Sequence, residues 1–418
     1  MLKLLSYAAY PFRQFTRKTI LTLAILTLSR LGIFIPVLGI DHNEFQNSIN
    51  NNNFINFLNI FSGGGFSTIG IFALGIVPYI NASLIMQLLI KAVPQLENLQ
   101  KEEGENGRQK LVQFTRYLTL AWGLIQSSTV AFWIKPYVFN WNFYFIVDTV
   151  VTLTSGSIIM LWFSELITDK GFGNGASLII FQNIISSIPK TFNGLQININ
   201  NGLDITKLCL ISIVFTLTLI ITILIQEGIR NIEIISARQL SQEWAVNIKN
   251  FLPLKLNQGG VMPIVFASAA MVLPRYLAGS LEHIQIKSLI IHMFSNSPFY
   301  LSIYLILVIV FSQLYSSLVM NPDDIAANLK KMGVSIPKVR PGRITSIYLQ
   351  KILNRLTFVG SIFLFLIALV PSIIENITNF EVSRSFGATS LIILVGVSID
   401  TGKQIQAYIL SLKYKDIS

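Results

Sequence analysis

The chain has too little charge for a surface that faces water. Only 12% of its 418 residues are charged and 52% are hydrophobic, whereas about 25% of the residues in soluble domains are charged. The one cysteine, Cys209, excludes an intrachain disulfide and a thiolate metal site. The three histidines fall in two separate polar loops and give no support to a metal cluster. We therefore expect most of the surface to face lipid, and we expect no metal or other cofactor.

Signatures of enzymes are equally scarce. The sequence has no P-loop, zinc motif or nucleophile elbow and predicts no enzymatic activity. Gly171-Phe-Gly-Asn-Gly175 is interpreted as a tight reversal between two spans, because no strand precedes it and no acidic residue follows at the distance that a dinucleotide site needs. Ionisable residues within or near the apolar segments could mark a proton relay or could be structural pairs. They are Arg30, Asp148, Glu165 and Asp400.

Ten long apolar segments predict a polytopic α-helical membrane protein, since a transmembrane helix needs about 20 apolar residues. The segments lie near residues 20–38, 70–90, 117–134, 143–164, 174–189, 208–226, 260–277, 299–320, 353–374 and 386–402. The first resembles part of a signal peptide, but it continues past Arg30 without a small-residue cleavage site and is interpreted as a retained span. The second and fifth carry small and polar residues, which favours contacts with other helices or with a water-lined cavity.

The distribution of positive charge predicts an orientation. The formal net charge of +11 could indicate a nucleic-acid partner, but the cytoplasmic loops of membrane proteins are themselves rich in lysine and arginine. With the N-terminus inside, 24 of the 31 lysines and arginines lie in inside segments, 6 lie outside and Arg30 lies in a span. This bias predicts ten spans with both termini inside and no sequence-specific nucleic-acid partner.

A polar loop at 191–206 divides the spans into five and five. Two halves with an odd number of spans have opposite orientations, as inverted repeats require. The sequence therefore predicts an N-terminal half at 1–190 and a C-terminal half at 207–418, with the polar loop as an external hinge.

Two inside loops, 227–258 and 321–351, are long for the connections of a transporter, and the second is densely basic. Its positive charges could be anchors at lipid headgroups. Alternatively, Pro337, Pro341 and Gly342 shape the loop around Arg340 into a docking surface for a large acidic partner, and we favour this interpretation.

Five ordered groups of motifs resemble the SecY family over nearly the whole chain. They are Arg30-Leu-Gly-Ile-Phe-Ile-Pro36; Phe61-Ser-Gly-Gly-Gly65 followed by Ile71–Ser83 and Gln87; Trp162–Gly175; Gly260-Val-Met-Pro-Ile-Val-Phe-Ala-Ser268; and Asn321-Pro322 with Arg340-Pro-Gly342 and Arg355-Leu-Thr357. The resemblance implies an all-α membrane fold of ten helices, in two inverted five-helix halves around a central pore. It implies the channel-forming subunit of the Sec translocon, which conducts unfolded polypeptides and releases transmembrane segments sideways into lipid.

The resemblance also implies roles for particular residues. A constriction ring would comprise Ile80, Leu84, Ile180, Ile184, Val265 and Ile393, and its two paired sets are each four residues apart and so share a helix face. The plug would be about 62–69, including Ser62, Gly63, Gly64, Gly65, Phe66 and Ser67. Polar contacts of a lateral gate would be Gln87, Gln126, Ser127 and Ser268. Residues that dock SecA or the ribosome would be Arg230, Arg238, Lys330, Lys331, Arg340 and Arg343.

Three features depart from the family pattern. Leu84 and Val265 stand where isoleucine is usual, Lys338 stands where glycine is usual, and residues 63–71 carry no charge.

The partners implied are SecE, a SecG-like subunit, the SecA motor, the ribosome, unfolded preproteins with their signal sequences, and membrane lipid. The composition, rich in asparagine and isoleucine, and the reduced loops resemble a plastid-encoded member. They predict a multi-pass protein of the thylakoid membrane with both termini in the stroma, the plasma membrane of a bacterium being the alternative. The competing function is a secondary transporter of small solutes. Such a transporter would need a polar midplane site built from broken helices, whereas aliphatic residues at mid-depth favour a gasket.

Overall fold

The computed structural model of the protein describes residues 2–42, 44–45, 62–102, 104–194, 202–236, 250–260, 262–264, 266–267, 270–271, 298–378 and 388–415. Within these residues, long helices coincide with nine of the ten predicted spans. They are α1 (Leu2–Ile33), α3 (Val77–Ala92), α5 (Gly104–Trp133), α6 (Phe143–Lys170), α7 (Gly175–Gly194), α8 (Gly202–Glu227), α9 (Pro298–Val319), α11 (Arg343–Thr378) and α12 (Ala388–Lys415). Shorter helices lie between them: α2 (Gly65–Thr68), α4 (Pro94–Glu102) and α10 (Pro322–Lys331). Of the seventh predicted span, only short helical stretches between 262 and 271 are described.

By length and composition, three helical stretches of the described chain could each cross a membrane. They are Phe143–Lys170, Phe299–Lys331 and Arg343–Val370, and shorter apolar helices occur at Val77–Ile90, Gly175–Ser187 and Ile211–Glu227. Two of the shorter stretches lie in α3 and α7, which belong to the spans that the sequence marks as polar.

The second predicted span is helical only from Val77 onward. Residues 71–76 form turns, in which Ala73 N donates to Gly70 O (2.9 Å) and Gly75 N donates to Phe72 O (2.9 Å). Pro78 occupies the first turn of α3, where its missing N–H removes no helical hydrogen bond. The helix therefore begins later than the apolar pattern alone predicts.

Contacts along the chain define two compact units. The first comprises Met1–Gln196, Glu381–Phe386 and Ile393–Ser418, and the second comprises Ile197–Phe380 and Gly387–Ile392. The boundary between 196 and 197 falls inside the predicted hinge at 191–206. Most of α12 groups with the N-terminal residues, although the sequence places it in the C-terminal half. The predicted inverted halves remain a prediction about symmetry.

An aromatic cluster explains why α12 belongs to the first unit. The ring of Phe172, in the turn before α7, lies 5.2 Å from the rings of both Phe15 on α1 and Tyr408 on α12. The ammonium of Lys18 lies 4.8 Å from the centre of the Tyr408 ring. Such cation–π contacts stabilise by about 0.5–2 kcal/mol, so three elements distant in sequence are joined here.

The turn between α6 and α7 is the reversal that its glycines predict. Gly173 has a φ of +84°, a conformation that glycine adopts without a steric penalty. The side chain of Asn174 accepts from Ala176 N (3.1 Å), and Thr168 Oγ1 accepts from Gly175 N (2.9 Å). These side-chain oxygens cap the free N–H groups at the start of α7.

In the second unit, the two inside loops together form a small folded region. Strands β1 (Ile229–Ser236), β2 (Asn250–Lys255) and β3 (Val334–Ser335) form an antiparallel sheet in the order β2-β1-β3, with Ile232 opposite Leu252. The apolar pattern used to find the spans does not predict this sheet. Its apolar core, which also receives α10 and the start of α11, comprises Ile232, Leu254, Leu329, Ile336, Leu349, Ile352, Leu353 and Leu356. The basic loops are therefore presented by a packed scaffold.

Candidate functional site

The predicted ring residues that the structure describes lie on three helices of the first unit. Ile80 and Leu84 lie one turn apart on α3, Ile180 and Ile184 lie one turn apart on α7, and Ile393 lies on α12. All five are buried, and Ile184 is only 1% exposed. Val265 lies outside the described residues. The helices α3 and α7 thus bury aliphatic side chains at the paired positions that the motifs indicate.

Polar residues of α7 are used in contacts with α1. The side-chain amide of Gln182 donates to Leu26 O (2.8 Å), and its carbonyl accepts from the hydroxyl of Ser29 (3.1 Å). Asn183, the next residue, is also buried. This agrees with the expectation that polar residues of the fifth span face other helices.

The predicted plug is a compact turn of helix held by its own polar groups. Ser62 Oγ accepts from Phe66 N (3.0 Å), and the hydroxyl of Ser67 donates to Gly64 O (2.7 Å). Gly63 and Gly64 have φ angles of +63° and +88°. Both angles lie in the left-handed region, where a side chain is disfavoured. The Ser-Gly-Gly-Gly motif therefore permits the tight entry into α2.

Main-chain hydrogen bonds fix the end of the plug to the segment after α1. Val37 N donates to Ile69 O (3.0 Å), and Ile71 N donates to Ile35 O (2.9 Å). A Cβ at Gly70 would overlap the carbonyl of Ile33, so this close approach requires glycine.

On another side, the predicted plug packs against a group of aromatic rings, which we call the aromatic seat. The ring of Phe66 lies 5.9 Å from Trp133 at the end of α5, and Phe45 packs edge-on against both Trp133 and Tyr137, each at 5.4 Å. Such aromatic pairs add about 0.5–1.5 kcal/mol beyond their buried area. The surrounding cluster comprises Val37, Ile40, Ile69, Ala73, Leu74, Val130, Ile134 and Leu153. The uncharged sequence of this segment suits this apolar seat.

Arg30 contacts the predicted plug directly. Its guanidinium donates a hydrogen bond to the main-chain carbonyl of Gly63 and lies 5.0 Å from the ring of Phe34. The sequence left open whether this intramembrane charge belongs to a relay or to a structural pair. Its observed hydrogen-bond partner is 33 residues away in the plug, a contact that no local pattern indicates.

The predicted gate residues lie on two helices that pack against each other, α3 and α5. Gln87 on α3 is half-buried. Gln126 on α5 is half-buried too, and its carbonyl oxygen is buried with no hydrogen-bond partner among the residues that the structure describes. The hydroxyl of Ser127 lies 2.9 Å from that of Thr154 on α6 and is used in packing α5 against α6. Ser268 lies outside the described residues.

Of the ionisable residues near the spans, Glu165 has a structural partner. Its two carboxylate oxygens accept from Arg116 Nε (2.8 Å) and Nη2 (2.9 Å). This bidentate geometry is the strong form of an arginine–carboxylate pair, and it joins α5 to α6 near their predicted inside ends.

The proposed docking residues surround the packed scaffold of the second unit. All those that the structure describes are exposed: Arg230 on β1, Lys330 and Lys331 at the end of α10, Arg340 before α11 and Arg343 at its start. Arg238 lies outside the described residues. The two lysines sit at the helix terminus that carries partial negative charge, where cations are favourable.

Hydrogen bonds join the start of α10 to the start of α11, on either side of the loop that carries Arg340. The side chain of Asn321 caps α10 by accepting from Asp323 N (3.2 Å), and the hydroxyl of Ser346 on α11 donates to the carboxylate of Asp323. Lys338, which stands where the family usually has glycine, has a φ of +64°. The structure thus gives a physical reason for glycine at this position.

Comparisons with known proteins agree with one another. A family model described as SecY matches residues 70–402. The chain is 58% identical to the protein translocase subunit SecY of Porphyra purpurea over 95% of this chain and 97% of that protein. It is 58% identical to the SecY of Pyropia yezoensis over 96% and 98%. It is 38% identical to the preprotein translocase subunit SCY1, chloroplastic, of Arabidopsis thaliana over 94% and 72%.

Solved structures share the fold. A structure described as that of a protein-conducting channel has a TM-score of 0.64 at 16% identity, over 95% of this chain and 93% of that one. Sec61 in a canine ribosome–channel complex has a TM-score of 0.60 at 17% identity, over 95% and 93%.

Proposed function

The chain belongs to the SecY family, and from this premise we propose that it forms the pore subunit of a Sec translocon, sealed by an aliphatic ring and a plug. It is a multi-pass membrane protein and a translocase subunit, and it is neither an enzyme nor a transporter of small solutes. The observation that carries the proposed seal is the burial of five aliphatic side chains at the positions that the motifs indicate, namely Ile80, Leu84, Ile180, Ile184 and Ile393.

A ring of aliphatic side chains solves the problem of a pore that must pass a polypeptide without leaking ions. A narrow apolar constriction loses its water, and ions cannot enter without their hydration. Around a moving chain, the same flexible side chains form a seal that makes no sequence-specific contacts. In the idle channel the plug adds a second barrier, held by the main-chain bonds and the aromatic seat described above.

We propose that apolar client segments leave sideways through a gate lined in part by Gln87, Gln126, Ser127 and Ser268. The free energy of a segment of about 20 apolar residues falls when the segment moves from the pore into lipid. This step therefore needs no energy source beyond partitioning. The side-chain oxygen of Gln126 is buried and has no hydrogen-bond partner within the described part of the chain. It gives α5 an acceptor to which a donor on an entering segment can bind.

We propose that the exposed basic residues of the second unit dock a motor or a ribosome. Support comes from the scaffold that holds them and from a similar channel solved in complex with a ribosome. SecE and a SecG-like subunit would complete the complex in the membrane. The proposed location is the thylakoid membrane with both termini in the stroma, supported by the charge bias and by the similarity to a chloroplastic subunit.

Purification and reconstitution test this function. The tagged chain, extracted from its native membrane, should bring a small SecE-like helical protein with it. The complex, placed in liposomes with SecA and ATP, should import an unfolded preprotein into a protease-protected space. Purification of the chain alone, with no protected preprotein at any SecA concentration, would contradict the proposal.

A further inference from the structure

We propose that Arg30 is a latch that holds the plug in the closed channel through its hydrogen bond to the Gly63 carbonyl. This inference deepens the proposed function and rests on it. Arg30 would be a positioning residue, because it sets the place of the plug and does not itself form the barrier.

Arg30 carries its charge at membrane depth. Arg30 lies inside the predicted span 20–38 and is half-buried. An arginine at membrane depth is costly unless its charge finds partners. Within the part of the chain that the structure describes, Arg30 forms no ion pair, and its guanidinium instead meets the Gly63 carbonyl and the Phe34 ring. The polar partner of this charge is therefore a main-chain group of the plug.

The site around Gly63 leaves room only for a glycine. A Cβ on Gly63 would lie 2.6 Å from Asn183 Oδ1 and 2.8 Å from Arg30 Nη1. Two polar side chains, one from α1 and one from α7, thus close on the same glycine. The left-handed φ of Gly63 bends the main chain here, and the carbonyl of Gly63 accepts from Arg30 at this bend. Any larger residue at 63 has to push one of the two side chains away.

Opening of the channel breaks this hydrogen bond. When the plug leaves its seat, the Arg30 guanidinium loses its carbonyl and remains in the pore wall. A hydrogen bond to a charged group changes an equilibrium by about 10- to 100-fold, and the change here favours the closed state. An entering client has to compensate for the lost bond, so weak signal sequences are excluded more strongly than good ones.

The test compares Arg30→Gln with Arg17→Gln, a matched control that removes the same charge from an exposed position on the same helix. The parent and every variant carry Ser62→Cys in a Cys209→Ser background, so the loss of the Ser62 hydroxyl, which accepts from Phe66 N, is common to all of them. The thiol at this position reports the plug, because Ser62 is only 2% exposed when the plug is seated. Each variant is purified as the complex with SecE. Two quantities are then measured: idle ion flux in liposomes, and the rate at which a small reagent alkylates the thiol introduced at position 62.

We expect Arg30→Gln to raise both the alkylation rate and the idle flux by about 10-fold or more, following the size of a charge-assisted hydrogen bond. We expect Arg17→Gln to behave as the parent. Gly63→Ala should act in the same direction as Arg30→Gln, because it displaces the latch from the other side. Arg30→Lys keeps the charge but loses the planar fork, and it should give an intermediate rate.

Outcomes that overturn the latch are distinct from those that overturn the channel. If Arg30→Gln keeps the parental ion flux and alkylation rate while Ile184→Asn with Ile393→Asn conducts ions, the proposed channel is supported and the latch is wrong. If the ring variant is also tight, the proposed seal itself is wrong. Should Arg30→Gln fail to accumulate, Gly63→Ala decides, and a folded Gly63→Ala complex with parental flux and labelling overturns the latch.

Discussion

The hydroxyl of Thr345 donates a hydrogen bond of 2.9 Å to the main-chain carbonyl of Arg340. Thr345 is 3% exposed at the start of α11, whereas Arg340 is exposed at the tip of the basic loop. A buried residue on a long helix thus fixes the direction in which an exposed arginine is presented. Gly342, with a φ of +107°, allows the chain to reverse between the two.

This relationship predicts that Thr345→Val weakens docking although Arg340 itself is not substituted. Removal of one hydrogen bond costs about 1 kcal/mol, or about fivefold in an equilibrium constant. We therefore expect SecA-driven transport to need about fivefold more SecA for half-maximal rate. Thr345→Ser keeps the hydroxyl and should behave as the parent. Parental SecA dependence of Thr345→Val would show that the bond does not position the loop.

Arg340→Glu should abolish SecA-driven transport and leave assembly with SecE intact. Reversing the central charge of a basic surface opposes an acidic partner rather than merely weakening it. Lys351→Glu, which makes the same change at an exposed position on α11, is the matched control. Transport is measured as protease-protected preprotein. Normal transport by Arg340→Glu would reduce Arg340 to a topological charge.

Lys338→Gly should stabilise the basic loop. A non-glycine residue in the left-handed region costs about 1 kcal/mol, and the φ of Lys338 is +64°. We expect slower proteolysis at residues 332–342 and an unchanged ring. Gly342→Ala is the opposite control, because φ at Gly342 is unfavourable for alanine although no atom lies within 4 Å of the new Cβ. Faster proteolysis of Lys338→Gly would contradict the strain at this position.

The sequence predicts the helices well because their signal is local. Runs of apolar residues indicate α6, α9 and α11, and spacing by four indicates the paired faces of α3 and α7. The SecY motifs then select Ile80 and Ile184 among many aliphatic residues, a choice that periodicity alone could not make.

The features that were missed depend on contacts between distant residues. The pairing of Ile232 with Leu252 joins two segments that are 20 residues apart in sequence, although the alternation of Ile232 and Ile234 is a visible strand signal. The bond from Arg30 to Gly63 joins a side chain to a carbonyl, and a carbonyl is present at every residue. No residue pattern can therefore identify which one is used.

The charge bias predicts that residues 48 and 335 lie on opposite sides of the membrane. Single cysteines at Ser48 and Ser335, in a Cys209→Ser background, should react with an impermeant thiol reagent from opposite faces. Ser335 lies in β3 beside the basic loop, and Ser48 lies outside the described residues. Sealed vesicles of known orientation, labelled before and after lysis, provide the measurement. Labelling from the same face would contradict the ten-span topology.

The ring gives the sharpest separation between a channel and a simple helical bundle. If Ile184 and Ile393 are ordinary packing residues, replacing them by a smaller polar residue should cost about 2–5 kcal/mol each, and the protein should fail to accumulate. If they line a pore, the complex should fold, because asparagine side chains can be hydrated there. What should fail is the seal, since water wets a polar ring and ions follow.

We therefore predict that Ile184→Asn with Ile393→Asn gives a folded, SecE-bound complex that conducts ions when idle and accepts preproteins with defective signal sequences. Ile179→Asn is the matched control, because Ile179 is equally buried on the same helix but is not a ring residue. It should lose stability without gaining conductance. A double variant that folds and stays ion-tight would show that these residues are not the seal. A double variant that fails to accumulate, as Ile179→Asn does, would favour packing. The predicted ring residues and Ile179 would then contribute to stability in the same way.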